Sequence, residues 1–181
     1  LCALCICAGC SSAIGTSENG VGTANAATSS IADKMEWGTL KIGGGGFVSG
    51  IVTGKKAMYA RTDVGGAYRF NYETDSWEQL LGFINEDDRG LLSVDAMAID
   101  PTDDNTVYFL CGCAYFSAEK TVIFKTTDGG KTFEEIDVTD MIQVHGNGNG
   151  RQTGESIAVD PYDPKTIYCG GDVYAGDSCL I

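Results

Sequence analysis

The chain has 181 residues, a formal net charge of −13 from 12 basic and 25 acidic side chains, and 25 Gly against 3 Pro. Such a surface repels phosphate backbones and makes nucleic acid a poor partner, while a neutral sugar polymer is compatible with it. Glycine runs such as "IGGGGF" and "HGNGNG" supply tight turns and close backbone approach, which favours a turn-rich, mostly β protein over a helical one.

The chain begins at Leu and ends on "GDSCLI", which reads as the start of an apolar strand, so a fragment cut at both ends is expected. Residues 1–10, "LCALCICAGC", space their cysteines like a metal-ligand motif. They come without a second ligand cluster, and the metal reading is set aside. The stretch reads better as the tail of a secretory apolar region. "CAGC" then looks like a bacterial lipoprotein box with Cys10 as the lipidated residue, although Cys7 stands where Leu is usual. An ordinary export signal cleaved near "TANAA" is the alternative. Both readings place the protein outside the cell or on a bacterial surface, and the lipoprotein reading alone gives it a contact with membrane, through the lipid anchor. The apolar stretch is too short for a spanning helix. Residues 11–34, rich in Ser, Thr, Gly, Ala and Asn, read as a flexible tether. The folded body is expected over residues 35–181.

Within the body, "FVSGIVTG", "AMYARTD", "AYRFNYE" and "SWEQLLG" read as four strands, and "VDAMAID", "TVYFLCGC", "TVIFKTT" and "TFEEIDV" as four more. "AIDPTDDNTVYF" from Ala98 and "AVDPYDPKTIYC" from Ala158 repeat at an offset of 60 residues. A period of this size points to arrays, solenoids or propellers. Each copy reads as strand, Asp-Pro turn, strand, with Asp100 and Asp160 as turn residues. "TTDGGKTF" fits the Asp-box pattern, in which an Asp accepts turn N–H groups, a Gly takes the unusual backbone angle and an aromatic packs beneath. Asp128 is therefore assigned a structural role. "TDVGGAY" is expected to occupy the same place one blade earlier, which puts Asp63 opposite Asp128. The fold class is all-β: an incomplete β-propeller of about two and a half four-stranded blades.

Cys111 and Cys113 lie two apart on one strand and read as small buried residues. Cys169 and Cys179 are a possible pair in an exported protein. His145 is the single histidine, and with no companion at ligand spacing it reads as loop rather than metal ligand. No cofactor is expected, and the glycine runs precede β pattern rather than a phosphate-binding helix.

"WGTLKIGGGGFVSGIVTG" and "MYARTDVGGAYRF", with "SWEQLL", "VDAMAIDPTDDNTVY", "FKTTDGGKTFE", "GNGNGRQTGESIAVDP" and "TIYCGG", closely resemble the N-terminus of glycoside hydrolase family 74, the xyloglucan-cleaving endo-β-1,4-glucanases. The resemblance covers most of residues 37–181. It implies two seven-bladed propellers facing each other across an open cleft and inverting hydrolysis of the β-1,4-glucan backbone of xyloglucan. It further implies one catalytic aspartate from each propeller. The general base falls on Asp63, and the general acid lies beyond this chain. An inverting glycosidase separates its two carboxyls by about 6.5–9.5 Å to admit a water.

Arg61 and Arg69 are the basic residues nearest Asp63 and compete as its charge partner. Gly65 and Gly66 carry no side chains, so a polysaccharide can approach them, and Tyr68 offers a ring or hydroxyl to sugar. Arg69 and Arg151 complete the expected substrate contacts, with Asp95 and Glu155 as the next carboxylates to inspect. The partner implied is xyloglucan or a related plant cell-wall β-glucan, bound by a monomer. The competing reading is a non-catalytic Asp-box propeller that binds glycan or serves as a scaffold. A sialidase-like enzyme is disfavoured because no triad of arginines stands out.

Overall fold

The structure is a computed structural model that describes residues 38–39, 41–113, 120–172 and 178–180. The leader with Cys10 and the tether lie outside the described residues. The blades belong to one compact unit, Ile42–Ile181. Its first sheet is an antiparallel meander of β1 (Val48–Thr53), β2 (Met58–Thr62), β3 (Ala67–Asn71) and β4 (Ser76–Gln79), hydrogen-bonded in that order. A 3-10 segment, Glu86–Leu92, leads to the second meander of β5 (Val94–Asp100), β6 (Asp103–Gly112), β7 (Thr121–Thr126) and β8 (Glu134–Asp137). A third sheet holds β9 (Ile157–Val159), β10 (Ile167–Asp172) and β11 (Ser178–Leu180). These are successive propeller blades that do not close into a ring.

Strand β6 shows why the sheets stack. Its run from Thr106 to Gly112 is buried throughout, because both of its faces are covered. Val107, Phe109 and Cys111 point into a core shared with Tyr59, Ala67 and Leu81 of the first blade. Tyr108 and Leu110 point the other way, into a core with Ile142, Val144, Ile157 and Cys169. Period-two alternation thus feeds two cores from one strand. Phe109 meets Tyr59 edge-on at 6.2 Å and Phe133 at 6.3 Å, both favourable ring geometries. The outermost strands β4 and β8 are mostly exposed and carry Glu78, Glu134, Glu135 and Asp137, charges that discourage edge-to-edge pairing.

The Asp-Pro repeat marks equivalent β5–β6 and β9–β10 turns. Asp100 accepts from the Thr102 N–H and hydroxyl, each at 2.7 Å, and Asp160 accepts from the N–H groups of Tyr162 at 2.8 Å and Asp163 at 3.1 Å. Asp103 and Asp163 accept from the hydroxyls of Thr106 and Thr166 at 2.7 and 3.1 Å. Cys111, Cys113 and Cys169 are buried free thiols, and burial pushes Cys169 up to about 11.

One sequence expectation fails on topology. "TDVGGAY" connects β2 to β3, the second and third strands of its blade, whereas "TTDGGKTF" connects β7 to β8, the third and fourth. Successive turns of a meander alternate between its two ends, so Asp63 and Asp128 sit at opposite ends of their sheets and are not equivalent. The first-blade counterpart of the Asp-box is the β3–β4 turn. There Asn71 accepts from the N–H groups of Glu73 at 2.9 Å and Thr74 at 3.3 Å.

Phe109→Ala should cost about 3–5 kcal/mol through the cavity it opens between two blades. Tyr162→Ala, at a side chain 96% exposed, should stay within about 0.5 kcal/mol of the parent. Urea unfolding distinguishes the two.

Candidate functional site

The end of the blades that carries Asp63 also carries the loop entering β1, the segment entering β5 and the loop entering β9. Asp63 follows the last residue of β2 and is 7% exposed. Its Oδ1 accepts from the Phe47 N–H at 2.7 Å, and its own N–H donates to the Phe47 carbonyl at 3.1 Å. Its Oδ2 lies 3.3 Å from Nε of Arg151. That nitrogen is buried and makes no aligned hydrogen bond. The contact is therefore an ion pair held by charge and distance rather than by N–H direction.

The turn below Asp63 is built without its carboxylate. The Thr62 hydroxyl accepts from the Gly65 N–H and donates to the Gly66 carbonyl, both at 2.8 Å. Asp128 differs in each respect. Its Oδ1 accepts from the N–H groups of Lys131 at 2.9 Å and Thr132 at 3.0 Å, and its Oδ2 accepts from the Thr132 hydroxyl at 2.6 Å. Those Thr132 donors, with Thr126 and Lys131 behind them, hold its carboxyl well below the usual range. Phe133 packs under the turn against Phe83, Phe109 and Phe124. Asp128 clamps its own turn, while Asp63 binds a residue 16 positions away.

The two arginines nearest in sequence do not pair with Asp63. Arg61 is fully buried and points across to the β8–β9 loop. Its Nε meets Glu155 at 2.9 Å, Nη1 donates to the Ser49 hydroxyl at 2.9 Å and the Arg151 carbonyl at 3.0 Å, and Nη2 donates to the Gly154 carbonyl at 2.9 Å. Glu155 returns Oε2 to the Met97 N–H at 2.6 Å. Gly50 makes room for this pair: a Cβ there would stand 2.5 Å from both Arg61 Nε and Glu155 Oε1. Bulges in β1 between Val48 and Gly50 and in β5 between Val94 and Ala96 lie alongside, and such bulges re-aim side chains. Arg69 lies over the Tyr59 ring at 5.9 Å and reaches Asn105 at 3.3 Å and the Gly129 carbonyl at 3.4 Å, with the Asp-box turn rather than with Asp63.

The glycines and Tyr68 serve chain-to-chain contact. A Cβ on Gly65 would stand 2.1 Å from the Gly45 carbonyl oxygen, and one on Gly44 would stand 1.9 Å from the Tyr68 hydroxyl oxygen. Gly66 has φ +82° and donates its N–H to Leu92 at 2.8 Å. Tyr68 is 4% exposed beneath the glycine loop, and burial raises its phenol. The Gly45 carbonyl thus stands where a side chain on Gly65 would go, and the Leu81 and Leu92 side chains would lie 3.4 Å from a Cβ on Gly66.

Beside this cluster runs an open cleft of about 550 Å³, lined by Asp95, His145, Asn149, Thr153 and Ser156 among others. Asp95 accepts from the Ser156 hydroxyl at 2.7 Å. Among the described residues no group of His, Cys, Asp or Glu is arranged to hold a metal ion. The parts the sequence did not disclose are Phe47, whose N–H holds Asp63, and the Arg61–Glu155 tie.

No family model matches the chain. It is 35% identical over 161 residues to the oligoxyloglucan-reducing end-specific xyloglucanase of Emericella nidulans, covering 87% of this chain and 19% of that protein. To a Paenibacillus xyloglucanase it is 42% identical over 132 residues, 70% of this chain and 13% of that protein. Among solved structures, the GH74 enzyme of Niastella koreensis matches with a TM-score of 0.69 and 46% identity, over 74% of this chain and 20% of that one. The GH74 xyloglucanase of Xanthomonas campestris matches with a TM-score of 0.66 and 36% identity, over 75% of this chain and 20% of that one. The chain thus spans a fifth or less of the length of these relatives.

Two stability experiments follow from this geometry. Arg61→Ala leaves Glu155 without its cation and should cost about 3–5 kcal/mol by urea unfolding. Asp128 has a depressed folded-state carboxyl, so its contribution is complete above the unfolded value near 4 and is lost as pH falls below it. Asp128→Ala should therefore lower the melting temperature at pH 7, and the gap to the parent should narrow as pH drops from about 4.

Proposed function

Because the chain belongs to glycoside hydrolase family 74, we propose that it supplies the first blades of a xyloglucan-hydrolysing propeller enzyme and that Asp63 is its general base. One observation carries the assignment. Asp63 is a nearly buried carboxylate left unused by its own turn, and it is held from outside that turn by Phe47 and Arg151. A turn clamp would bond locally, as Asp128 does.

In the inverting reaction this base takes a proton from a water as that water attacks the anomeric carbon. A second carboxyl, about 6.5–9.5 Å away, protonates the departing glycosidic oxygen. Each carboxylate oxygen has two acceptor sites, so the Phe47 bond to Oδ1 leaves capacity for a water. The second carboxyl belongs to a portion of the enzyme beyond these 181 residues. The substrate in this reading is the β-1,4-glucan backbone of xyloglucan, the polysaccharide named for the relatives. Export from the cell, with Cys10 as a lipid anchor, belongs to the same reading and rests on "CAGC" and the tether that follows.

The test is made on the complete enzyme with xyloglucan. Asp63→Ala should lower hydrolysis by about 10²–10⁴-fold, the range for a lost general base, while keeping its melting temperature within a few degrees. Hydrolysis at the parent rate, or collapse of the fold with activity lost only in proportion, would make Asp63 a structural residue.

A further inference from the structure

The base assignment leaves open what keeps the Asp63 carboxylate in one orientation, and this inference rests on that assignment. Phe47 pins one oxygen only, through Oδ1 at 2.7 Å. The two oxygens turn together about the Cβ–Cγ bond, and a single hydrogen bond leaves that rotation only loosely restrained, so a second contact at Oδ2 is what fixes the carboxylate plane. We propose that Arg151 is a positioning residue that holds Oδ2 of Asp63, rather than a sugar-binding residue, and that Arg61 sets the place from which it does so.

The Arg151 guanidinium is itself fixed. Nη1 donates to the Gly148 carbonyl at 2.9 Å, and the group lies over the Phe47 ring at 5.5 Å. Phe47 is thus shared: its N–H holds Oδ1, and its ring supports the cation that faces Oδ2. Planar stacking of this kind suits an arginine and preserves its charge. The Arg151 backbone is anchored through its carbonyl to Arg61 at 3.0 Å, and Gly154, three residues on, is anchored to the same guanidinium at 2.9 Å. The Arg151 side chain is 30% exposed, and its Nε is enclosed. The nitrogen that faces Asp63 is therefore closed to solvent and serves the carboxylate.

The misaligned Nε contact has a chemical consequence. At 3.3 Å without hydrogen-bond direction, the cation attracts Oδ2 without occupying a lone pair. That lone pair stays available to the water the base must activate. A carboxylate held by charge at one oxygen and by a hydrogen bond at the other is oriented before substrate arrives, which is where much of catalytic positioning originates.

The experiment uses the complete enzyme. Arg151→Met keeps a stem over the Phe47 ring and removes the charge, and Arg151→Lys keeps a charge without the planar fork. Steady-state hydrolysis of xyloglucan is measured for both. A xyloglucan oligosaccharide is titrated into Asp63→Ala enzyme with and without Arg151→Met. Arg151→Met should lower kcat by about 10–100-fold with KM within about twofold, and Arg151→Lys should recover part of the loss. Oligosaccharide affinity for the Asp63→Ala enzyme should not change when Arg151→Met is added. A rise in KM with kcat preserved, or a matching loss of affinity in the Asp63→Ala background, would make Arg151 a sugar contact and overturn the inference. Unchanged kcat and KM would overturn it as well. Should Arg151→Met fail to fold, Arg151→Lys is read by the same split of kcat against KM. Asp63→Ala reports separately on the base: if that variant hydrolyses normally, the base assignment fails and this inference with it. If it is inactive while Arg151→Met is normal, only this inference fails.

Discussion

A positive charge buried away from solvent, that of Arg61, organises the end of the blades that carries Asp63. A guanidinium carries five N–H donors and no acceptor, so the fold must surround Arg61 with acceptors. Ser49, Glu155 and the carbonyls of Val94, Arg151 and Gly154 do so. They come from three separate segments: the bulged start of β1, the start of β5 and the loop entering β9. Burying the cation is tolerable only when all three have assembled, because a buried charge missing its partners is costly. The height and direction of Arg151 follow from that requirement, and so does the placement of the Glu155 carboxylate against the Met97 N–H.

Two aspartates in similar-looking sequence have different employment because strand number within a blade decides which end a turn occupies. Asp128 closes a turn between third and fourth strands and spends its oxygens on residues within four positions. Asp63 closes nothing. Its turn is carried by the Thr62 hydroxyl and by Gly66 at positive φ. Its oxygens are left to the neighbouring loop and to Arg151. A carboxylate that a structure does not need locally is the kind that chemistry can use.

The glycine-rich segment before β1 has a mechanical explanation of the same type. A side chain on Gly44 would collide with the Tyr68 hydroxyl, and one on Gly65 would collide with the Gly45 carbonyl. Gly46, at φ +91°, brings the chain past the Asp63 carboxylate to deliver the Phe47 N–H. The loop thus touches the blade at Gly44 and Gly46 while Gly43 and Gly45 face open space.

Much of the architecture was legible in the amino-acid sequence, because its causes are local. Period-two runs gave strands in nearly the right places, and the Asp-Pro pattern located equivalent first turns, since each Asp bonds N–H groups two or three residues away. The Asp-box described its own clamp for the same reason, and the glycine-rich and "RTDVGGAY" segments marked where to look for Asp63. The 3-10 segment before β5 carried no comparable signal. Only the tertiary structure decided which arginine faces Asp63. Proximity in sequence favoured Arg61 and Arg69. Arg69 went to the opposite end with β3, and Arg61 turned to partners 90, 93 and 94 residues away. Those contacts bring Arg151 to the carboxylate. No pattern along the chain encodes that arrangement, because it follows from how three strands' ends meet around one buried charge.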